Sequence, residues 1–420
     1  MRHNYRITKN ACYLGYTIQA VVNNLTSLLF VIFNSEPFGL SQEELGRLVF
    51  INFFSQLIID TLSIYIVPKL GYRKCVVLAQ ACSGIGFIFL GVLPNVISPY
   101  IGLVTAIIFL AIGSGFIEVL ISPICEALPS NNKAGNMSFL HSFYCWGQAA
   151  TVIITTLLLL IFGRNNWFYI PFIWAILPMI NTVLFSVAPI LELEGDKNHS
   201  FKLRSVLKNK HFYLFLLLMF CAGASEIAMV QWSSFFVETG FSVDKWLGDI
   251  LGPCMFAIFM GIGRVGYAIF GSRVRPDFLI MVFAFVCTIS YLIVAFSNNA
   301  ILSVVACAVC GLSVSVMWPG VFSSAADKFK GSGASLFSVL AIFGDLGCGT
   351  LPWILGIVSD FSVSSGVADK FADTFSLSGN QTGMQLGFLI SAVVPFVMFV
   401  VLFYINCKSK NKVINSSDEA

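Results

Sequence analysis

Charge is scarce in this chain. Lys and Arg number 24 and Asp and Glu 21 in 420 residues, only 11% of the total, whereas a soluble domain carries about a quarter. With 57% hydrophobic residues, 41 Phe and a mean hydropathy of +0.86, the chain has too little polar surface to coat a soluble core. Other things are missing as well. No nucleotide-binding loop and no catalytic triad occur, which removes the sequence basis for ATP-driven work or hydrolysis. GIGRVG, around Arg264, matches a dinucleotide fingerprint only in letters, since neither a preceding strand nor a ribose-binding acid accompanies it. Cys307 and Cys310 stand inside an apolar run, where thiols behave as small hydrophobes, and no further ligands accompany them to make a metal site. The twelve cysteines fall mostly within such runs and describe no disulfide framework. Short alternating segments, the mark of a spanning barrel, are absent too.

What is there instead is a succession of twelve long apolar runs. They predict helices near 11–33, 46–67, 75–93, 99–125, 138–162, 167–190, 211–237, 246–270, 278–296, 301–325, 334–359 and 384–406. At 1.5 Å per residue, about 20 residues cross a hydrocarbon core of about 30 Å, so every run can span. The first run follows charged residues but has no small-residue cleavage site, and is read as a retained helix.

Cationic side chains collect on the cytoplasmic side. With the N-terminus inside, 19 of the 24 cations lie in cytoplasmic segments. Arg47, Arg164, Lys245 and Lys370 lie outside, and Arg264 lies within a helix. Both termini are therefore expected in the cytoplasm, with the protein in the cytoplasmic membrane. The net charge of +3 follows from this topology, so no nucleic-acid partner is inferred.

The one long cytoplasmic joint, residues 191–210, separates six helices from six. The expected organisation is a bundle over 1–190, a linker over 191–210, a second bundle over 211–407 and a tail over 408–420. The halves echo each other: Ser41 and Gly46 open the second helix as Ser242 and Gly248 open the eighth. Pro123 precedes Gly147 and Gln148 much as Pro319 precedes Gly344 and Asp345. Two such halves commonly enclose a site near the bilayer midplane and rock about it. The fold class expected is an all-α membrane protein of twelve transmembrane helices in two pseudo-symmetric six-helix bundles. At this level the chain resembles the major facilitator superfamily over nearly its whole length. The family's loop signature between helices 2 and 3 appears as Pro68, Lys69, Leu70, Gly71, Tyr72, Arg73 and Lys74. Pro68 stands where an acidic residue is usual, and Asp60 is a substitute partner for the basic ones. The resemblance implies that Gly71, Arg73 and Lys74 help lock the cytoplasmic side.

Ionisable groups in hydrocarbon cost at least a few kcal/mol and usually face the protein interior. On helix 4, Glu118, Ser122 and Glu126 recur every fourth residue and share a face. Burial disfavours the charged form of a carboxyl, so one placed there can carry a proton and release it when water enters. Glu118 is the candidate for proton coupling, against a purely interhelical pairing; Glu126 is expected at the surface. On helix 5, His141, Gln148 and Thr155 form a stripe, in which the Gln148 amide suits a neutral polar solute. His141 fits an interhelical hydrogen bond equally well. Helix 1 carries Tyr16, Gln19, Asn23 and Thr26 beside Thr17, Asn24 and Ser27, more polar groups than helix pairing needs. On helix 7, Glu226 is a cavity candidate, and Trp232 either stacks on a sugar ring or anchors the helix. Asp345 on helix 11 occupies the place equivalent to Gln148. Arg264 fits a gate pairing, with Asp345 as its better partner, or a substrate contact.

VNNLTS on helix 1, GSGFIE followed by SP on helix 4, and LHSFYCWG on helix 5 resemble segments of the fucose:proton symporter family of sugar permeases. That resemblance implies proton-coupled sugar movement, with Asn24 and Glu118 at matching places. Ser27 replaces an Asp, Ser122 an Asn and His141 a Gln. The function expected is secondary transport of a sugar or similar small polar solute by proton symport. Glu118 would exchange the proton, and Asn23, Asn24, Ser27, His141, Gln148, Glu226, Trp232 and Asp345 would bind solute. Asp60, Gly71, Arg73, Lys74 and Arg264 would gate or support. The partners expected are the solute, protons and membrane lipid; the protein is expected to be a monomer, not an enzyme, with no cofactor and no metal. A proton-driven exporter of amphipathic compounds and a transport-silent membrane receptor are the alternatives.

Overall fold

Local signals start and stop the helices. Ser41 opens the second with a capping box: its Oγ accepts from Glu44 N at 3.2 Å, and Glu44 Oε2 accepts from Ser41 N at 3.0 Å, which satisfies two otherwise orphaned donors. Asn299 Oδ1 accepts from Ile301 N and Leu302 N, and Pro99 and Pro276 occupy first turns, where a missing N–H is harmless. Gly71, at φ +82°, turns the chain between the helix ending at Leu70 and that beginning at Tyr72.

The computed structural model describes residues 5–129, 133–191, 209–270, 274–329, 333–369 and 379–417. It contains twelve helices long and apolar enough to cross a membrane. They are α1 (Arg6–Asn34), α2 (Gln42–Ser63), α3 (Tyr72–Val96), α4 (Pro99–Glu126), α5 (Phe139–Phe162), α6 (Tyr169–Val187), α7 (Lys210–Phe241), α8 (Lys245–Tyr267), α9 (Pro276–Phe296), α10 (Ala300–Ala325), α11 (Val339–Ser364) and α12 (Gln381–Cys407). Each expected run is present, with ends shifted by a few residues. A π turn over Ile250–Cys254 interrupts α8 around Pro253, which has no N–H to give. The outward side chains are those of a lipid-facing surface: Ile161 is 74% exposed and Ile301 75%.

The sequence repeat has a counterpart in packing. In the first half α1 packs on α4, α5 and α6, α2 on α4, and α3 on α4 and α6. Adding six to every label gives pairs found in the second half, α7 on α10, α11 and α12, α8 on α10, and α9 on α10 and α12, where α11 also packs closely on α12. Between halves the contacts are α2 with α11 and α5 with α8, which exchange under the same shift, together with α1 and α7. One correction concerns the loop before α8. Ser242 does not cap α8 as Ser41 caps α2; it ends α7 in the left-handed region at φ 52°, and α8 starts at Lys245. Residues 192–208 of the expected linker and 418–420 of the expected tail lie outside the described residues.

The halves meet tightly at the end of the bundle away from the chain termini, termed distal. There Gln42 N and Glu43 N of α2 donate to the Asp360 carboxylate of α11 at 3.2 and 2.5 Å, and Trp353 Nε1 donates to Glu43 Oε1 at 2.7 Å. Gly46 lies flat on α11, where a Cβ would fall 2.8 Å from Pro352 O. On the pseudo-equivalent side Thr156 of α5 donates to Asp249 of α8 at 2.9 Å, and Asp249 also accepts from Ser234 and from Lys245. Arg164, after α5, pairs with Glu238 of α7 at 2.6 Å. The distal end is closed.

Candidate functional site

Beneath that closure, α1, α2 and α4 face one another through polar residues one helical turn apart. On α2 these are Asn52, Gln56 and Asp60; on α4, Ser114, Glu118 and Ser122; on α1, Tyr16, Gln19 and Asn23. Spacings of three and four keep each set on one face. They form three rungs. At the first, Asn23 Oδ1 accepts from Asn52 Nδ2 at 3.3 Å and from Ser114 Oγ at 3.4 Å. At the second, Glu118 Oε2 accepts from Gln19 Nε2 at 2.9 Å and from Gln56 Nε2 at 2.5 Å. At the third, the Tyr16 and Ser122 hydroxyls share a hydrogen bond of 2.7 Å.

The second rung is where the two halves meet chemically. Carboxylate oxygens of Asp60, Glu118 and Asp345 all lie within 4.8 Å of one another, and Asp345, 3% exposed, arrives from α11. Two unit charges that far apart repel by about 3–4 kcal/mol at an effective dielectric of about 20. A proton or small cation entering the group relieves that repulsion. Asp60 Oδ1, Asp345 Oδ2, Gln19 Oε1 and Gln56 Oε1 are buried with no hydrogen-bond partner among the described residues, so the group retains acceptors for an incoming donor.

A second polar group lies between α5, α7 and α8. Arg264 Nη2 stands 3.6 Å from Glu226 Oε2 and faces Tyr144 and Cys145 across the interface. His141 sits edge-on to Tyr16, ring centroids 5.0 Å apart. Gln148 is 2% exposed, and its Oε1 has no partner. Cys348, on α11 just past Asp345, neighbours both Asp345 and Glu226 and so links the two groups.

The sequence-derived candidates are thus divided. Glu118, Asp345 and Asp60 come together, with Asn23 one rung away; His141, Glu226 and Arg264 gather in the second group, and Gln148 is buried one turn further along α5. Arg264 pairs with Glu226 and not with Asp345. Comparing depths along separate helices misled here, because α7 spans Lys210–Phe241, far longer than the apolar core needs, so position along it is a poor measure of depth. Asp60 is no partner for the loop after α2. Arg73 instead donates to Phe185 O and Ser186 O at 3.2 and 2.7 Å, where the end of α6 presents free carbonyls, and Lys74 is exposed. Asn24 and Ser27 turn back onto their own helix, Asn24 Nδ2 to Ala20 O and Ser27 Oγ to Asn24 O, which occupies one amide N–H of Asn24 and the hydroxyl hydrogen of Ser27. Trp232 is fully buried against Phe30 and Phe235, and its Nε1 donates to Pro352 O at 2.9 Å. It lines no site in this conformation. Glu126 is exposed, as expected.

Asn52, Gln56 and Tyr144 were missed. The spacing of Asn52, Gln56 and Asp60 was the available signal on α2, whereas nothing local marks Tyr144 among its aromatic neighbours. Gln231 Nε2 reaches Asn23 O at 2.7 Å, beside a cavity of about 10 Å³ bounded by Asn23, Thr26, Asn52 and Gln231 among others. That is room for about one water, which fits a closed distal end.

The family model for the Major Facilitator Superfamily matches residues 12–352. No curated protein matches the chain in sequence. Among solved structures, a bacterial homologue of the human lysosomal transporter Spinster, inward-facing and occupied, is similar with a TM-score of 0.73 at 13% identity, covering 94% of this chain and 96% of that one. A D-xylose–proton symporter gives a TM-score of 0.75 at 13% identity over 93% and 96% of the two chains. A variant of the E. coli fucose:proton symporter gives 0.64 at 16% identity over 96% and 99%. Identities this low speak to the fold alone.

Proposed function

Because this chain belongs to the major facilitator superfamily and is a multi-pass transporter of that kind, we propose that it carries a sugar or similar small polar solute across the cytoplasmic membrane together with protons. The observation that carries this reading is the convergence of Asp60, Glu118 and Asp345, two from one half and one from the other. Rocking the halves changes the distance between Asp345 and its two counterparts, so proton occupancy and conformation become coupled through like-charge repulsion. With both termini in the cytoplasm, the state described is closed to the outside. The solute would sit between Gln148, His141 and Glu226, where amide and carboxyl groups from both halves offer donors and acceptors. The relatives' cargoes, fucose and D-xylose with protons, accord with this choice.

The test is reconstitution in liposomes with a pH dye inside, adding candidate solutes to wild type and to Glu118→Gln. Solute-dependent acidification that disappears in the variant is the expected result. Solute uptake without proton movement in wild type would sink the coupling. If sodium, and not a proton gradient, drove uptake, the carboxylate group would be a cation site.

A further inference from the structure

Arg264 is a guanidinium with too few acceptors. It offers five N–H donors in a planar fork. Its ion pair with Glu226, at 3.6 Å, is longer than a hydrogen bond, and its buried Nε has no partner. Across the interface it meets the Cys145 thiol and Tyr144, and a thiol is a weak acceptor. Gly261, nearly one turn earlier on α8, lies against Cys145 and Trp146 of α5, so Arg264 is directed at the opposite half. On the same α5 stripe, one turn beyond Tyr144 and Cys145, Gln148 holds a buried amide oxygen with no partner. An unpartnered donor, Arg264 Nε, on one half thus faces the α5 stripe of the other half, which carries an unpartnered acceptor one turn further along. Burying both without partners is costly.

We infer that Arg264 and Gln148 read the solute. The guanidinium fork donates to two adjacent oxygens of the cargo, while Gln148 Oε1 and Glu226 accept from its hydroxyls. The cargo this fits is a neutral compound with vicinal oxygens. A cargo bearing a carboxylate is rejected, because Asp60, Glu118, Asp345 and Glu226 already set four carboxyl groups against one guanidinium. This assignment rests on the transport reading above but not on its proton coupling. It also makes Arg264 a solute contact and not only a gate pairing.

The experiment follows the thermal unfolding midpoint of the purified full chain with D-xylose, fucose, uridine or D-glucuronate added at graded concentrations, since a ligand that binds only the folded state raises it. At least one neutral probe should raise the midpoint of wild type, and D-glucuronate should not. Arg264→Lys keeps the charge but loses the fork, and should need about tenfold more of that probe for the same rise. Gln148→Ala should show the same loss and serves as the readout if Arg264→Lys does not fold. An undiminished response in the variants, a rise with D-glucuronate equal to that with the neutral probes, or no rise with any probe would overturn the assignment. A neutral-probe shift that depends on Arg264, in a protein that moves no protons in liposomes, would sink the coupling and leave the assignment standing.

Discussion

Asp60 and Asp345 approach from opposite halves until their carboxylate oxygens lie within 4.8 Å of each other and of Glu118. Each close pair costs about 3–4 kcal/mol when both members are charged, and about 1.4 kcal/mol is a factor of ten in an equilibrium. Asp345→Asn removes two of those pairs, so the loaded protein should still open and close, but closure should no longer require a proton. Net uptake driven by a proton gradient should fall by about tenfold or more. Exchange of labelled for unlabelled solute should be much less affected. Parallel assays of the two would show this, and equal losses in both would mean that Asp345 binds solute and does not carry the coupling.

Gly46 has no side chain because α11 occupies the space where one would be. A Cβ there would fall 2.8 Å from Pro352 O and 2.9 Å from Trp353 Cα, both backbone atoms that cannot step aside. Gly46→Leu should therefore prevent distal closure without disturbing either half. Transport should drop to background, while a cysteine at Thr26, just under the closure, should react rapidly with a membrane-impermeant thiol reagent added from the distal side. Slow labelling in the Gly46→Leu background would show that the halves close elsewhere.

The twelve spans and their division into two sixes were legible because hydrophobicity over about 20 residues is a collective signal that no single side chain can obscure. Glu118 and Asp345 were legible for a related reason, as charges where lipid tolerates few. What was not legible is pairing. Arg264 and Glu226 meet because α7 and α8 are placed side by side in space, a relation their sequence positions do not contain. Asn24 and Trp232 are solute-ligand candidates by residue type, and residue type did not announce that Ala20 O takes one amide N–H of Asn24 and Pro352 O the indole N–H of Trp232. Glu43, Asp249 and Asp360 at the distal end gain partners from the opposite half, namely Trp353, Thr156 and the backbone of Gln42 and Glu43, that no local sequence pattern announces.

Trp232 packs against Phe30 of the opposite half, so it is expected to serve the closure and not the cargo. Trp232→Phe keeps an aromatic ring against Phe30 but loses the hydrogen bond to Pro352 O, a change worth about 1 kcal/mol. The unfolding midpoint should fall slightly, and the solute concentration for half-maximal uptake should stay as in wild type. A rise of about tenfold in that concentration, the effect of losing a direct ligand contact of about 1.4 kcal/mol, would return Trp232 to the solute site.

The Arg164–Glu238 pair spans the halves at 2.6 Å, but its two sides are unequal: the Arg164 side chain is 51% exposed and that of Glu238 8%. Half-exposed pairs contribute about 0.2–1 kcal/mol, so Arg164→Ala should favour the distally open state by a factor of only about 1.4 to 5. Labelling of a cysteine at Thr26 should accelerate by that factor, and added salt should accelerate wild type toward the variant because the exposed partner is screened. Glu238→Gln should accelerate labelling by about the same factor, because Lys245, which also acts on Glu238, lies in the same half and does not cross the closure. A much larger effect of Glu238→Gln would show that Glu238 holds the closure through something other than Arg164.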